Sequence, residues 1–197
     1  VTEQKRVLLG ILLATGVGWL LLAWLPLRKL GPAGASADGA PFGRAALGGE
    51  VYAANGCASC HTQVVRPPNL GSDIARGWGA RRTLPSDYRE EHVIPLGVLR
   101  LGPDLSDVGE RRTDPRWYYR FLYDPRVIYP GTVMPSYRYL FARVPLLGTP
   151  LPDSLPLSGR DAPRPGFQVV PGPEARALVA YLLSLKRVPP GETGKTP

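Results

Sequence analysis

The chain has 197 residues, with 23 glycines, 23 prolines and a formal net charge of +8 at pH 7. That length holds one compact domain with additions, and so much Gly and Pro excludes a protein made mostly of regular elements. The positive charge is spread along the chain rather than gathered in a patch, which argues against nucleic acid as a partner.

Val7 to Leu27 is an uncharged apolar run of 21 residues. As a helix it is about 31 Å long, the thickness of a hydrocarbon core. Trp19 and Trp24 sit toward its C-terminal end, where indoles favour the membrane interface. A cleaved signal peptide competes, because Ala35-Ser36-Ala37 resembles a cleavage site. However, the run exceeds a signal's apolar core of about 7–15 residues, and Arg28 and Lys29 precede the supposed cut. Residues 1–30 are therefore read as a transmembrane anchor, 31–43 as a flexible linker, 44–188 as a folded domain and 189–197 as a tail. Lys5/Arg6 and Arg28/Lys29 balance across the span, so charge alone does not orient it.

Further along, a helix is expected from about Ala45 to Ala54, with Leu47, Val51 and Ala54 on one face and Asn55-Gly56 ending it. Residues 62 to 102 show no sustained period and are too long for an idle loop, so a functional excursion is expected. Asp114-Pro115 is a helix start, with Asp as N-cap and Pro at the first position, followed by a stripe of Trp117, Phe121 and Leu122. Residues 143 to 173 are again proline-rich, with no convincing pair of strands. A last helix begins near Pro173 and runs to about Arg187, with Leu178, Leu182 and Leu185 at helical spacing.

The most informative residues are Cys57-Ala58-Ser59-Cys60-His61. CxxCH is the attachment pattern of a c-type haem. Two cysteines three apart share a helix face, so both can form thioethers with one porphyrin, and the next imidazole is carried beneath the iron. These are the only two cysteines of the chain. A thiol–disulfide pair would need a βαβ setting, and a zinc site would need further ligands. One covalently bound haem c is thus expected, with His61 on its iron. Haem attachment outside the energised membrane would put the N-terminus in the cytoplasm and the domain on the periplasmic side of the inner membrane.

Candidates for the second axial ligand are few. Met134 is the one methionine and stands in the stiff loop Pro130-Gly131-Thr132-Val133-Met134-Pro135. A lone methionine is usually core filler. This one lies between prolines, far from His61 in sequence, and is read as the thioether ligand. His92, in Glu90-Glu91-His92, is read as a solvated histidine. A ligating imidazole normally donates its other N–H to a carbonyl, and Pro103 in Gly102-Pro103-Asp104-Leu105 is the candidate. Arg66, Arg81, Arg82, Arg100, Arg111, Arg112 and Arg126 are available to neutralise haem propionates.

The stretches GCASCHTQVVRP, RGWGARRTLPSDY, GPDLSDVGERR and DPRVIYPGTVMPSY, in this order behind an N-terminal anchor, resemble one family. It is the membrane-anchored mono-haem cytochrome c subunit, subunit II, of cbb3-type cytochrome c oxidases in the haem–copper superfamily. The resemblance covers roughly Val51 to Leu140 and the anchor. It implies an all-α class I cytochrome c domain with long loop insertions. It also implies Cys57 and Cys60 as haem attachments, His61 as proximal ligand, Met134 as distal ligand and Pro103 as the partner of His61. The excursion from Thr62 to Gly102 matches the family's extra segment, which implies contact with partner subunits. Two departures stand out: Tyr118-Tyr119-Arg120-Phe121 follows Trp117 without the histidine expected nearby, and residues 143–173 have no counterpart.

The implied role is electron relay from a c-type cytochrome donor to a polytopic haem-containing catalytic subunit that reduces O2. The chain itself would catalyse nothing. The small cytochrome c subunit of a nitric oxide reductase, which shares anchor, haem domain and ligation, is the alternative.

Overall fold

The computed structural model describes residues 2–29, 43–88 and 96–187. The linker expected at 31–43 (bar Gly43), His92 and the tail from 189 lie outside the described residues.

Two compact units are present. The first contains the N-terminal apolar helix and a 3-10 turn at Pro85–Tyr88. The helix runs as α1 (Glu3–Trp19), a π-helical stretch (Leu20–Trp24) and α2 (Leu25–Lys29). Pro26 gives the π stretch a physical reason: a proline inside a helix lacks an N–H and crowds the carbonyl four residues back, and widening the preceding turn relieves both. Arg28 lies over the Trp24 ring, 4.4 Å from its centre. Among the described residues this is the one helix long and apolar enough to cross a membrane, and none of its apolar span is buried in the protein. It fits a single-pass anchor.

The second unit is held by the crossing of α3 (Arg44–Ala54) on α8 (Pro173–Ser184). Gly48 makes it possible: a Cβ there would lie 2.0 Å from the Ala177 carbonyl oxygen. Tyr52 of α3 then meets Tyr181 of α8 with ring centres 5.4 Å apart. The buried face of α3 is therefore Gly48 and Tyr52, while Leu47 is 57% exposed. Of the expected stripe, Val51 is half-buried against the core while Leu47 and Ala54 are exposed, because the closest contact is made through a glycine, which leaves no apolar mark. On α8, Leu178 and Leu182 are buried, as is Leu185 just past its end.

Between these helices come α4 (Cys57–Cys60), α5 (Val108–Arg111), α6 (Pro115–Tyr123) and α7 (Pro125–Ile128). The α6 start follows the sequence: the Asp114 carboxylate accepts from the Arg116 N–H at 2.9 Å, with Pro115 at the first helical position. Asp124 does the same for α7. Tyr118, Leu122 and Tyr123 carry the buried face of α6, and Trp117 stacks on Phe121 at 4.9 Å.

The all-α expectation is corrected by a two-stranded antiparallel sheet, β1 (Phe141–Pro145) and β2 (Phe167–Pro171). Arg143 pairs with Val169, and the prolines fall at the ends of the ladder, where a missing N–H costs least. No alternation betrays β2, because four of its five residues are buried. The connecting segment covers it: the Leu155 N–H donates to the Val169 carbonyl at 2.9 Å, and Gln168 joins the Leu151 N–H to the Pro145 carbonyl. Leu155 and Val169 form a small second core with Tyr123 of α6.

Substituting Gly48→Val should lower the thermal unfolding midpoint, costing about 1–3 kcal/mol through overpacking against α8. Circular dichroism melting checks this, and an unchanged midpoint would contradict the close crossing.

Candidate functional site

The site grows from the turn after α3. The Asn55 side chain donates to the Val51 carbonyl at 2.7 Å, and Gly56 takes a left-handed conformation with φ +67°. This pair stops α3 and starts α4, a single turn that sets Cys57 and Cys60 on one side. Both thiols are free, Cys57 buried and Cys60 half-buried. Burial pushes the Cys57 thiol up to about 11, opposed by its contact with the Tyr137 side chain.

His61 leaves the turn in extended backbone, and its ring Nδ1 lies 2.9 Å from the Pro103 carbonyl oxygen. A carbonyl only accepts, so Nδ1 carries the proton and donates, leaving the Nε2 lone pair for a metal. Burial lowers the His61 pKa, opposed by the Pro103 carbonyl and the Asp104 charge. The ring is thereby kept in the neutral form that ligates. The Tyr52 hydroxyl donates to the His61 carbonyl at 3.1 Å, tying the ligand to α3.

Residues 97–105 wrap this turn along its main chain. Leu99, Gly102 and Leu105 N–H groups donate to the Ser59, Cys60 and Thr62 carbonyls at 3.0, 3.1 and 2.8 Å. Gly102 has no room for a side chain, since a Cβ would stand 2.1 Å from the imidazole Cε1. Asp104 is wholly buried and its carboxylate accepts from Val64 and Ser106 N–H groups, both at 2.8 Å. Burial nonetheless raises its pKa, against those bonds and the charge of Arg100.

Cys57, Cys60, His61 and Pro103 are thus brought together as the sequence suggested. Met134 lies half-buried in the loop after α7, packed against the core cluster that contains Cys57 and Tyr52. Its N–H donates to the Thr132 hydroxyl at 3.2 Å. Three residues on, Tyr137 reaches Cys57. Five candidate arginines are engaged elsewhere: Arg66 and Arg100 on Asp73, Arg111 on the Asp104 carbonyl, Arg112 over the Trp117 ring and Arg81 on the Arg82 carbonyl. Sequence reasoning missed Tyr52, Gly102, Asp104 and Asp73. Only the glycine beside Pro103 left a signal.

Two free thiols on one turn, followed by an imidazole with Nε2 free and a glycine cleared from its face, fit a haem. Among the described residues no group of three His, Cys, Asp or Glu side chains gathers for another metal. A domain of short helices and one two-stranded sheet that presents one oriented imidazole in this way is the class defined here. Over residues 40–146 the sequence matches the family described as cytochrome c oxidase, mono-haem subunit/FixO. The chain belongs to that family, whose members are mono-haem subunits of an oxidase complex. No curated protein matches it.

The carboxyl of Asp73 is held below its ordinary value of 3.8: burial works against this, but hydrogen bonds from Arg66 and the Arg100 charge outweigh it. Its stabilisation is complete above that value and is lost as the pH falls through the lower folded pKa. Acid titration should therefore show a steeper loss of stability in the wild type than in Asp73→Asn; equal slopes would contradict it. Gly102→Ala should displace the His61 ring and weaken its bond to Pro103, read as faster exchange of the Nδ1 proton by NMR. Unchanged exchange would mean the ring does not lie on this glycine.

Proposed function

We propose that the chain is the membrane-anchored electron-relay subunit of a cbb3-type cytochrome c oxidase. Cys57 and Cys60 carry one covalently bound haem c, His61 Nε2 is the proximal ligand and the Met134 thioether is the distal one. The bound haem supplies a one-electron iron couple. The surrounding residues fix its properties: Pro103 orients His61 and raises its basicity, while thioether ligation favours ferrous iron and a fairly high potential. The chain makes and breaks no bonds itself.

The observation that carries this reading is the His61 imidazole, tied through Nδ1 and following two free thiols, in a member of a mono-haem oxidase-subunit family. The N-terminal helix anchors the domain, with residues 31–43 as linker, residues 44–188 on the periplasmic side of the inner membrane and the N-terminus in the cytoplasm. Tethering replaces diffusive encounter with a high effective concentration at the catalytic subunit. Electrons arrive from a c-type cytochrome and leave to that polytopic subunit, which reduces O2.

Purification of the intact complex tests the assignment. Copper beside the catalytic haem of the co-purifying subunit is expected; non-haem iron there would replace oxidase by nitric oxide reductase. Met134→Ala should keep its haem yet lose the weak far-red sulfur-to-iron band of the oxidised protein. An unchanged band would move the distal ligand elsewhere.

A further inference from the structure

Asp73 has no exposed surface, yet it takes two guanidinium groups. Arg66 donates to it from Nη2 (2.8 Å), from Nε (3.1 Å) and from its main-chain N–H (2.9 Å). Arg100 donates from Nη2 at 2.6 Å and reaches the Val64 carbonyl with Nη1 at 3.4 Å. Arg100 is the one non-glycine among the described residues with positive φ, +46°. That conformation is unfavourable for a residue with a Cβ and persists only where its surroundings enforce it. The Leu99 and Gly102 N–H groups, on either side of Arg100, are bonded to the CxxCH turn, and Pro103 next along accepts from His61.

We propose that Asp73 is a positioning residue for the His61 ligand: by holding Arg100 in its left-handed turn, it presses the Pro103 carbonyl onto Nδ1–H and so sets the haem potential. This rests on His61 being the proximal ligand. The chain of cause is short. A firm Pro103 bond gives the imidazole more anionic character, which favours ferric iron. Loosening Arg100 weakens that bond and favours the ferrous state. Arg66 braces Asp73 from the other side, so its loss leaves the Arg100 contact standing and has the smaller effect. A charge cluster serving only to hold the excursion would change stability and leave the potential alone.

The test compares the full-length haem-loaded wild type with Asp73→Asn, Arg100→Ala and Arg66→Gln by redox titration. Exchange of the His61 Nδ1 proton is followed by NMR alongside. In both Asp73→Asn and Arg100→Ala the ferrous-to-ferric ratio at fixed potential should rise about threefold to tenfold, tenfold being ~59 mV for one electron. Proton exchange should quicken in the same two variants. Arg100→Ala keeps the Cβ that disfavours the left-handed backbone and loses the guanidinium that holds it, so it decides the matter if Asp73→Asn does not accumulate. Haem-loaded variants with wild-type potential and exchange would overturn the role of Asp73. A wild type without a haem redox spectrum would instead sink the ligand assignment beneath it.

Discussion

Everything at this site depends on one backbone embrace: residues 97–105 lie along residues 59–62 through three main-chain hydrogen bonds and deliver the Pro103 carbonyl to His61 Nδ1. A free imidazole has two similar nitrogens. This one has a single arrangement, because a carbonyl can only accept, and Gly102 leaves the ring no other side chain to avoid. Orientation and tautomer of the ring are therefore set by main-chain groups, which move less readily than side chains, while burial favours its neutral form.

The embrace is anchored at both ends of the domain core. Tyr52, brought inward by the close contact of Gly48 with α8, holds the His61 carbonyl. Beyond the histidine, buried Gln63 donates to the Tyr181 hydroxyl and accepts from Arg187. Gly109 packs against the Leu183 carbonyl, bringing α5 onto the same helix. The crossing of α3 and α8 thus acts as the frame on which the cysteine–histidine turn is mounted.

Legibility in the sequence followed the range of the interactions. The α6 and α7 starts could be read because their caps lie within two residues, and Asn55-Gly56 marked the end of α3 for the same reason. The cysteines and His61 form a motif whose spacing carries chemistry, whereas Pro103 was singled out mainly by the family resemblance. The inward face of α3 was not legible, because its closest contact is made by a glycine. The β1–β2 pair escaped because its partners are separated by the whole proline-rich segment, and because cover on both faces erased the alternation of β2. Nothing in the aperiodic stretch from 62 to 102 sets Asp73 apart in the sequence. Only the fold reveals that two arginines from opposite ends of that stretch converge on it.

These features together describe a mono-haem oxidase-subunit family member with an oriented imidazole behind two thiols and an N-terminal apolar helix that fits a single-pass anchor. Intact-mass measurement of the mature protein, with peptide mapping around the motif, tests the central claim most directly. One haem added to the peptide containing Cys57 and Cys60, with neither thiol open to alkylation, is the predicted result. A colourless protein at the bare polypeptide mass, with both thiols alkylated, would contradict it.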